Sequence, residues 1–159
     1  MRVFGIDPGS HFMGYGVVEK NGGQLVHVDN GCLRPKPAAS LPERLEQIHR
    51  TLLQALTTYR PDAVAVEQVF FAKNVASALK LGQSRGVALL AAAQSGLPVF
   101  EYSATAIKQA TTGYGRAGKE QIQKMVQMIL KLPELAEENA SDALAVAICH
   151  LHTNQVLKS

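Results

Sequence analysis

Two short apolar runs in this chain, Val3-Phe4-Gly5-Ile6 and Ala63-Val64-Ala65-Val66, each end on a single carboxylate, Asp7 and Glu67. Runs this short, apolar on successive residues and rich in β-branched side chains, read as strands buried on both faces. Such strands belong side by side near the centre of a sheet, and that places Asp7 close to Glu67 although they stand far apart in sequence. An acid in or just past a buried strand is costly to ionise unless something positive compensates it. Buried carboxylates are therefore paired, or they bind metal.

The remaining patterns build the sheet outward from this pair. Met13–Lys20 and Gln24–Arg34 alternate as strands across Asn21-Gly22-Gly23, a hairpin signal, and Asp7-Pro8-Gly9-Ser10 makes a turn. Ser40-Leu41-Pro42-Glu43 fits a capping box, and Leu41, Leu45, Ile48, Leu52 and Leu56 keep one apolar helical face. A second helix is expected from near Asn74 to Ser95, stopped by Gly96 and Pro98. Val99–Tyr102 then reads as a strand, and Ser103 caps a helix ending near Thr112. Gly113 to Gly118 is expected to be a flexible loop. Ile122, Met125, Val126, Ile129 and Leu130 mark a helix closed by Pro133, and Asn139–Gln155 the last one. The expected class is α/β: a five-stranded mixed sheet with helices on its faces.

With 159 residues, no internal repeat and no dividing linker, the chain is expected to be one domain, 1–159. Hydrophobic residues at 47% against 18% charged exclude a disordered chain. The longest apolar run, Val87 to Ala93, is too short to cross a bilayer, and no basic segment followed by a long apolar one suggests a secretory signal. Cys32 and Cys149 form no disulfide framework. A cytoplasmic protein with no membrane association is expected.

A third acid, Asp142, opens the last helix, and Asn139 shares its face three residues earlier. Three converging carboxylates would suit a hard divalent cation, and two such ions can clamp the oxygens of a phosphoryl displacement. Taken singly, Asp142 could merely cap its helix and Asp7 could be a turn residue. Charge is also uneven. From Phe70 to Lys131 eight basic residues face two acids, so this segment carries +6 and the remainder −3. That suits a polyanion, or it is a solvated surface. Phe70 and Phe71 lie beside Lys73; an exposed aromatic in such a setting can stack on bases, although core packing explains it equally. Gly82 and Gly86 each cost a helix about 1 kcal/mol, which suggests close approach by an internal strand or a second subunit. His150 and His152 face different ways and read as structural or solvent-facing. There is no P-loop motif.

Longer stretches carry a resemblance. Gly5-Ile6-Asp7-Pro8-Gly9-Ser10 with Gly14-Tyr15-Gly16-Val17 resembles the bacterial RuvC family. So do Glu67-Gln68-Val69-Phe70 with Ala72-Lys73-Asn74, and Ser77-Ala78-Leu79-Lys80-Leu81-Gly82-Gln83 with Arg85-Gly86. Pro98 to Tyr102, Ile107-Lys108-Gln109 and Asp142 to Ala147 extend the likeness along essentially the whole chain. The resemblance implies an RNase H-like fold and a homodimeric crossover junction endodeoxyribonuclease, which resolves Holliday junctions by two symmetric nicks. It further implies two divalent ions per active site (Mg²⁺, or Mn²⁺) and cooperation with RuvA and RuvB.

Carried over by position, Asp7, Glu67 and Asp142 resemble the metal-binding acids, Phe70 the aromatic that stacks at the crossover, and Lys108 and Lys119 DNA-contacting bases. Asn139 completes the expected catalytic and metal-binding set. Phe71, Lys73, Asn74, Lys80, Arg85 and Arg116 complete the expected DNA-binding set. Asn139 departs from the family, which commonly has Asp there and His in some members. Asn offers an oxygen without charge and cannot act as a base. Two outcomes stay open: a site built on three acids, or a replaced Asp that leaves a junction-binding protein with weak or no cleavage. An enzyme acting on RNA–DNA hybrids would share the fold.

Overall fold

The computed structural model describes residues 1–9, 11–68 and 74–156. In chain order the elements are β1 (Arg2–Asp7), β2 (Met13–Asn21), β3 (Gln24–Leu33), α1 (Leu41–Tyr59), β4 (Ala63–Glu67), α2 (Val75–Gln94), β5 (Val99–Tyr102), α3 (Ala104–Thr112), α4 (Lys119–Leu130) and α5 (Glu138–Val156). The strands form one sheet in the order β3-β2-β1-β4-β5. The hairpin strands are antiparallel, whereas β1–β4 and β4–β5 are parallel.

The central strands are covered on both faces, as their unbroken apolar runs require. Phe4, Ile6, Val64 and Val66 pack with Leu52, Leu56, Ala88 and Ala91 of α1 and α2. Val3 and Ala65 pack on the opposite face with Ile107, Ile122, Val126, Leu144 and Ile148 of α3, α4 and α5. Alternation along each strand thus decides which helices its side chains meet.

α5 is apolar all round because it is enclosed, and Ala143 through Leu151 are all buried. It lies directly on β1 and β2, where only glycine leaves room. A Cβ at Gly5 would stand 2.1 Å from the Ala143 carbonyl oxygen, one at Gly14 2.0 Å from that of Asn139, and one at Gly16 2.7 Å from Leu144 Cγ.

Local signals hold at several ends. Ser40 donates from its backbone N–H (2.7 Å) and its hydroxyl (2.8 Å) to the Glu43 carboxylate. The Ser103 hydroxyl accepts the Ala106 N–H at 3.2 Å. Three expectations shift. α4 closes at Leu130 because Lys131 takes the left-handed conformation (φ 53°), before Pro133 is reached. α5 starts at Glu138, so Asp142 stands in its second turn and does not cap it. The connection from Gly113 to Gly118 is fastened, not a flexible loop. Gln109 donates to the Gly113 carbonyl (2.8 Å), the Tyr114 N–H to the Thr112 hydroxyl (3.1 Å) and the Ala117 N–H to the Tyr114 carbonyl (3.2 Å), with Ala117 buried.

Candidate active site

The register of the central pair sets the site. Val3 to Ile6 pair in order with Ala63 to Val66, so Asp7 and Glu67 come next on adjacent parallel strands. By alternation both fall on the face of Val3, Gly5 and Ala65, which α5 covers. Ala143 of α5 rests on Gly5, and the Asp142 that precedes it is delivered to the same end of the sheet. Asn139 lies one turn earlier, its carbonyl over Gly14, the residue that pairs with Asp7.

The three carboxylates act on one another. Burial pushes Asp7 up to about 7 from an ordinary value of 3.8, and the charges of Asp142 and Glu67 add to the rise. Burial also raises Glu67, followed by the charge of Asp142. Asp142 is raised by burial too. Lys108 and Lys119 oppose the rise at both Glu67 and Asp142. These two lysines, with Glu67, Asp142, Ala104, Ile107, Ile122 and Ala145, line a cleft of about 190 Å³.

Burial that raises all three carboxylates marks a deficit of positive charge that a hard cation would fill. Among the described residues no three His, Cys, Asp or Glu side chains are gathered closely enough to enclose an ion by themselves. The oxygen-only donor set fits a hard divalent cation.

The other expected residues are placed as follows. The Asn139 amide nitrogen donates to Cys32 Sγ at 3.9 Å, a weak sulfur contact. Asn74 caps α2, its side-chain oxygen accepting the Ser77 N–H at 2.8 Å. Arg85 is ion-paired with Glu101 of β5, and its side chain is only 21% exposed. Lys80 and Arg116 are exposed away from the cleft lining. Phe70, Phe71 and Lys73 lie outside the described residues. His150 is buried and shares a 2.8 Å hydrogen bond with the Tyr102 hydroxyl, while His152 Nδ1 lies 3.0 Å from the Ala110 carbonyl; both are structural.

One participant was not legible in the sequence. Glu138 pairs with Lys119 and raises Asp7 and Asp142. At a helix start an acid reads simply as a partner of the helix dipole.

The strand order, the mixed strand sense and the helices on both faces define an α/β protein of the RNase H-like fold. The chain belongs to the RuvC family: the model for crossover junction endodeoxyribonuclease RuvC matches residues 3–150. The chain is similar to the crossover junction endodeoxyribonuclease RuvC of Geotalea uraniireducens, 56% identical over 154 residues (97% of this chain, 90% of that protein). It is 55% identical over 159 residues to that of Geobacter sulfurreducens (100% and 96%). Among solved structures, Thermus thermophilus RuvC in complex with a Holliday junction substrate aligns with a TM-score of 0.93 and 37% identity, over 98% of this chain and 96% of that one. The yeast mitochondrial Holliday junction resolvase Ydc2 (TM-score 0.66, 12% identity, 98% and 81% covered) shares the fold. Nucleases of this family are metal-dependent. Among the described residues no helix is long and apolar enough to cross a membrane.

Proposed function

We propose that the chain is a metal-dependent endonuclease that resolves four-way DNA junctions by paired symmetric nicks, folded as one domain over 1–159. The observation that carries this reading is a set of three desolvated carboxylates at one end of the sheet, of which Glu67 and Asp142 line a cleft walled by two lysines. Asp7, Glu67 and Asp142 would hold two Mg²⁺ or Mn²⁺ ions, with Asn139 offering an uncharged oxygen. Bound there, such ions activate water and neutralise charge on the attacking and leaving oxygens. Lys108, half-buried in the wall, and Lys119, at the mouth, hold the phosphodiester against the acids. The raised affinity of Asp7 for a proton falls when positive charge arrives, so metal and proton compete for its carboxylate.

Two symmetric nicks need two sites, and α2 has the surface to bring them together. Val75, Leu79 and Leu90 are 77%, 63% and 51% exposed. Together with Gly82 and Gly86 they follow one helical stripe. Among the described residues nothing lies within 4 Å of a Cβ added at either glycine, so no described strand accounts for them. This uncovered stripe supports a homodimer in which a second copy of the chain would sit on it. Family membership supports cooperation with RuvA and RuvB and work in the cytoplasm on cellular DNA.

The test compares nicking of a four-way junction, a linear duplex and an RNA–DNA hybrid in Mg²⁺, Mn²⁺ or EDTA. Cutting confined to the junction and dependent on metal is expected. Junction binding with no cleavage in either metal would favour the reading in which Asn139 disables the site.

A further inference from the structure

Lys119 opens α4 and Glu138 opens α5, so two helix N-termini meet at the rim of the cleft. The helix dipole favours an acid at this position and disfavours a cation. Lys119 therefore sits at the wrong end of its own helix, and carboxylates outside that helix compensate it. Its ammonium pairs with Glu138 and also feels Asp142 and Asp7. The pair is no structural brace: its side chains are 70% and 52% exposed, and an ion pair that open contributes little stability. A phosphate oxygen competes for the same ammonium with a charge-assisted hydrogen bond of its own. One residue further on, Asn139 supplies no charge to the site.

On the nuclease reading given above, we propose that Glu138 is a positioning residue. In the DNA-free chain it holds Lys119 at the cleft mouth. When a substrate phosphate displaces it, its carboxylate returns to the site the negative charge that Asn139 lacks. The exchange is ionic throughout, with no bond made or broken. Phosphate replaces Glu138 on Lys119, and Glu138 then adds its field to that of Asp7 and Asp142 against the bound cations.

Two measurements on the full chain test this. Junction affinity in EDTA, where nothing is cut, reads the competition for Lys119. Glu138→Gln should bind several-fold tighter than the unsubstituted chain, Glu138→Asp should not, and in a Lys119→Gln background Glu138→Gln should change nothing. Calorimetric titration of Mn²⁺ into the complex with an uncleavable phosphorothioate junction reads the charge. Glu138→Gln should weaken Mn²⁺ several-fold, and by much less once Asn139→Asp is present. Equal EDTA affinities for the chain and Glu138→Gln would overturn the proposal, as would an equal Mn²⁺ loss in both backgrounds. Thermal melts confirm that each variant is folded. A chain that bound the junction with this pattern but never nicked it in Mg²⁺ would defeat the nuclease reading and leave the Lys119 exchange standing.

Discussion

Asp7 shows at the scale of one residue how burial and charge combine. Its carboxyl titrates near 7 in the folded, metal-free chain and near 3.8 when exposed. Between those values the folded state holds a proton that the unfolded state has released, so stability is lost as pH rises through this window. For every tenfold difference in proton affinity between the two states, the loss is about 1.4 kcal/mol. In EDTA the chain should therefore melt at a higher temperature at pH 5 than at pH 8, and Asp7→Asn should flatten that dependence. Mg²⁺ should raise the melting temperature more at pH 8, where the carboxylates are free to bind it. A pH dependence of the metal-free melting temperature that Asp7→Asn leaves unaltered would contradict the reading of Asp7. For Asn139, the expectation is that the chain nicks junctions as it stands. Asn139→Asp should accelerate nicking within about tenfold, or ~1.4 kcal/mol of barrier, and lower the Mg²⁺ requirement. A chain inert until this substitution is made would mean that Asn139 disables it. The sequence displayed Asp7, Glu67 and Asp142 because buried acids are conspicuous in apolar runs. It concealed Glu138, whose role comes from a contact with a residue in another helix.

The element that assembles the site is α5, seated on three glycines of β1 and β2. A methyl group at Gly5 or Gly16 would have to push the helix off the sheet and carry Asp142 with it. Gly5→Ala should destabilise the chain by about 1–3 kcal/mol or more in urea denaturation, with nicking reduced beyond what the stability loss explains. Gly23→Ala, where an added Cβ meets nothing within 4 Å, is the control expected to stay close to neutral. Equal stability of the Gly5→Ala and Gly23→Ala variants would refute the tight seat. The strands were legible because run length and alternation report burial directly. Helix ends were less so. The polar stretch before Asp142 reads equally well as loop or first turn, and only its docking on β2 fixes the start at Glu138. Likewise, the left-handed Lys131 ends α4 two residues ahead of Pro133, the only residue that announced the stop.

For the whole molecule, the pairing of β1 with β4 followed from their buried apolar runs, and helices on the faces of a mixed sheet followed from the order of the patterns. The division into a two-helix and a three-helix face shows only in the fold. The sequence suggested a second subunit through Gly82 and Gly86, but which stripe of α2 is left uncovered shows only in the fold. Leu79→Glu, at a site 63% exposed, should leave the melting temperature nearly unchanged and yield a monomer by light scattering. Its products should shift from paired nicks to single ones; a dimer that persists would move the interface elsewhere. The central claim, that Asp7, Glu67 and Asp142 form the cutting centre while other groups supply the grip on DNA, is tested most directly with Asp7→Asn and a four-way junction. In Mg²⁺ the unsubstituted chain should nick the junction symmetrically, and Asp7→Asn should bind it with equal affinity and leave it whole. Undiminished nicking by Asp7→Asn, or loss of its binding, would contradict the account.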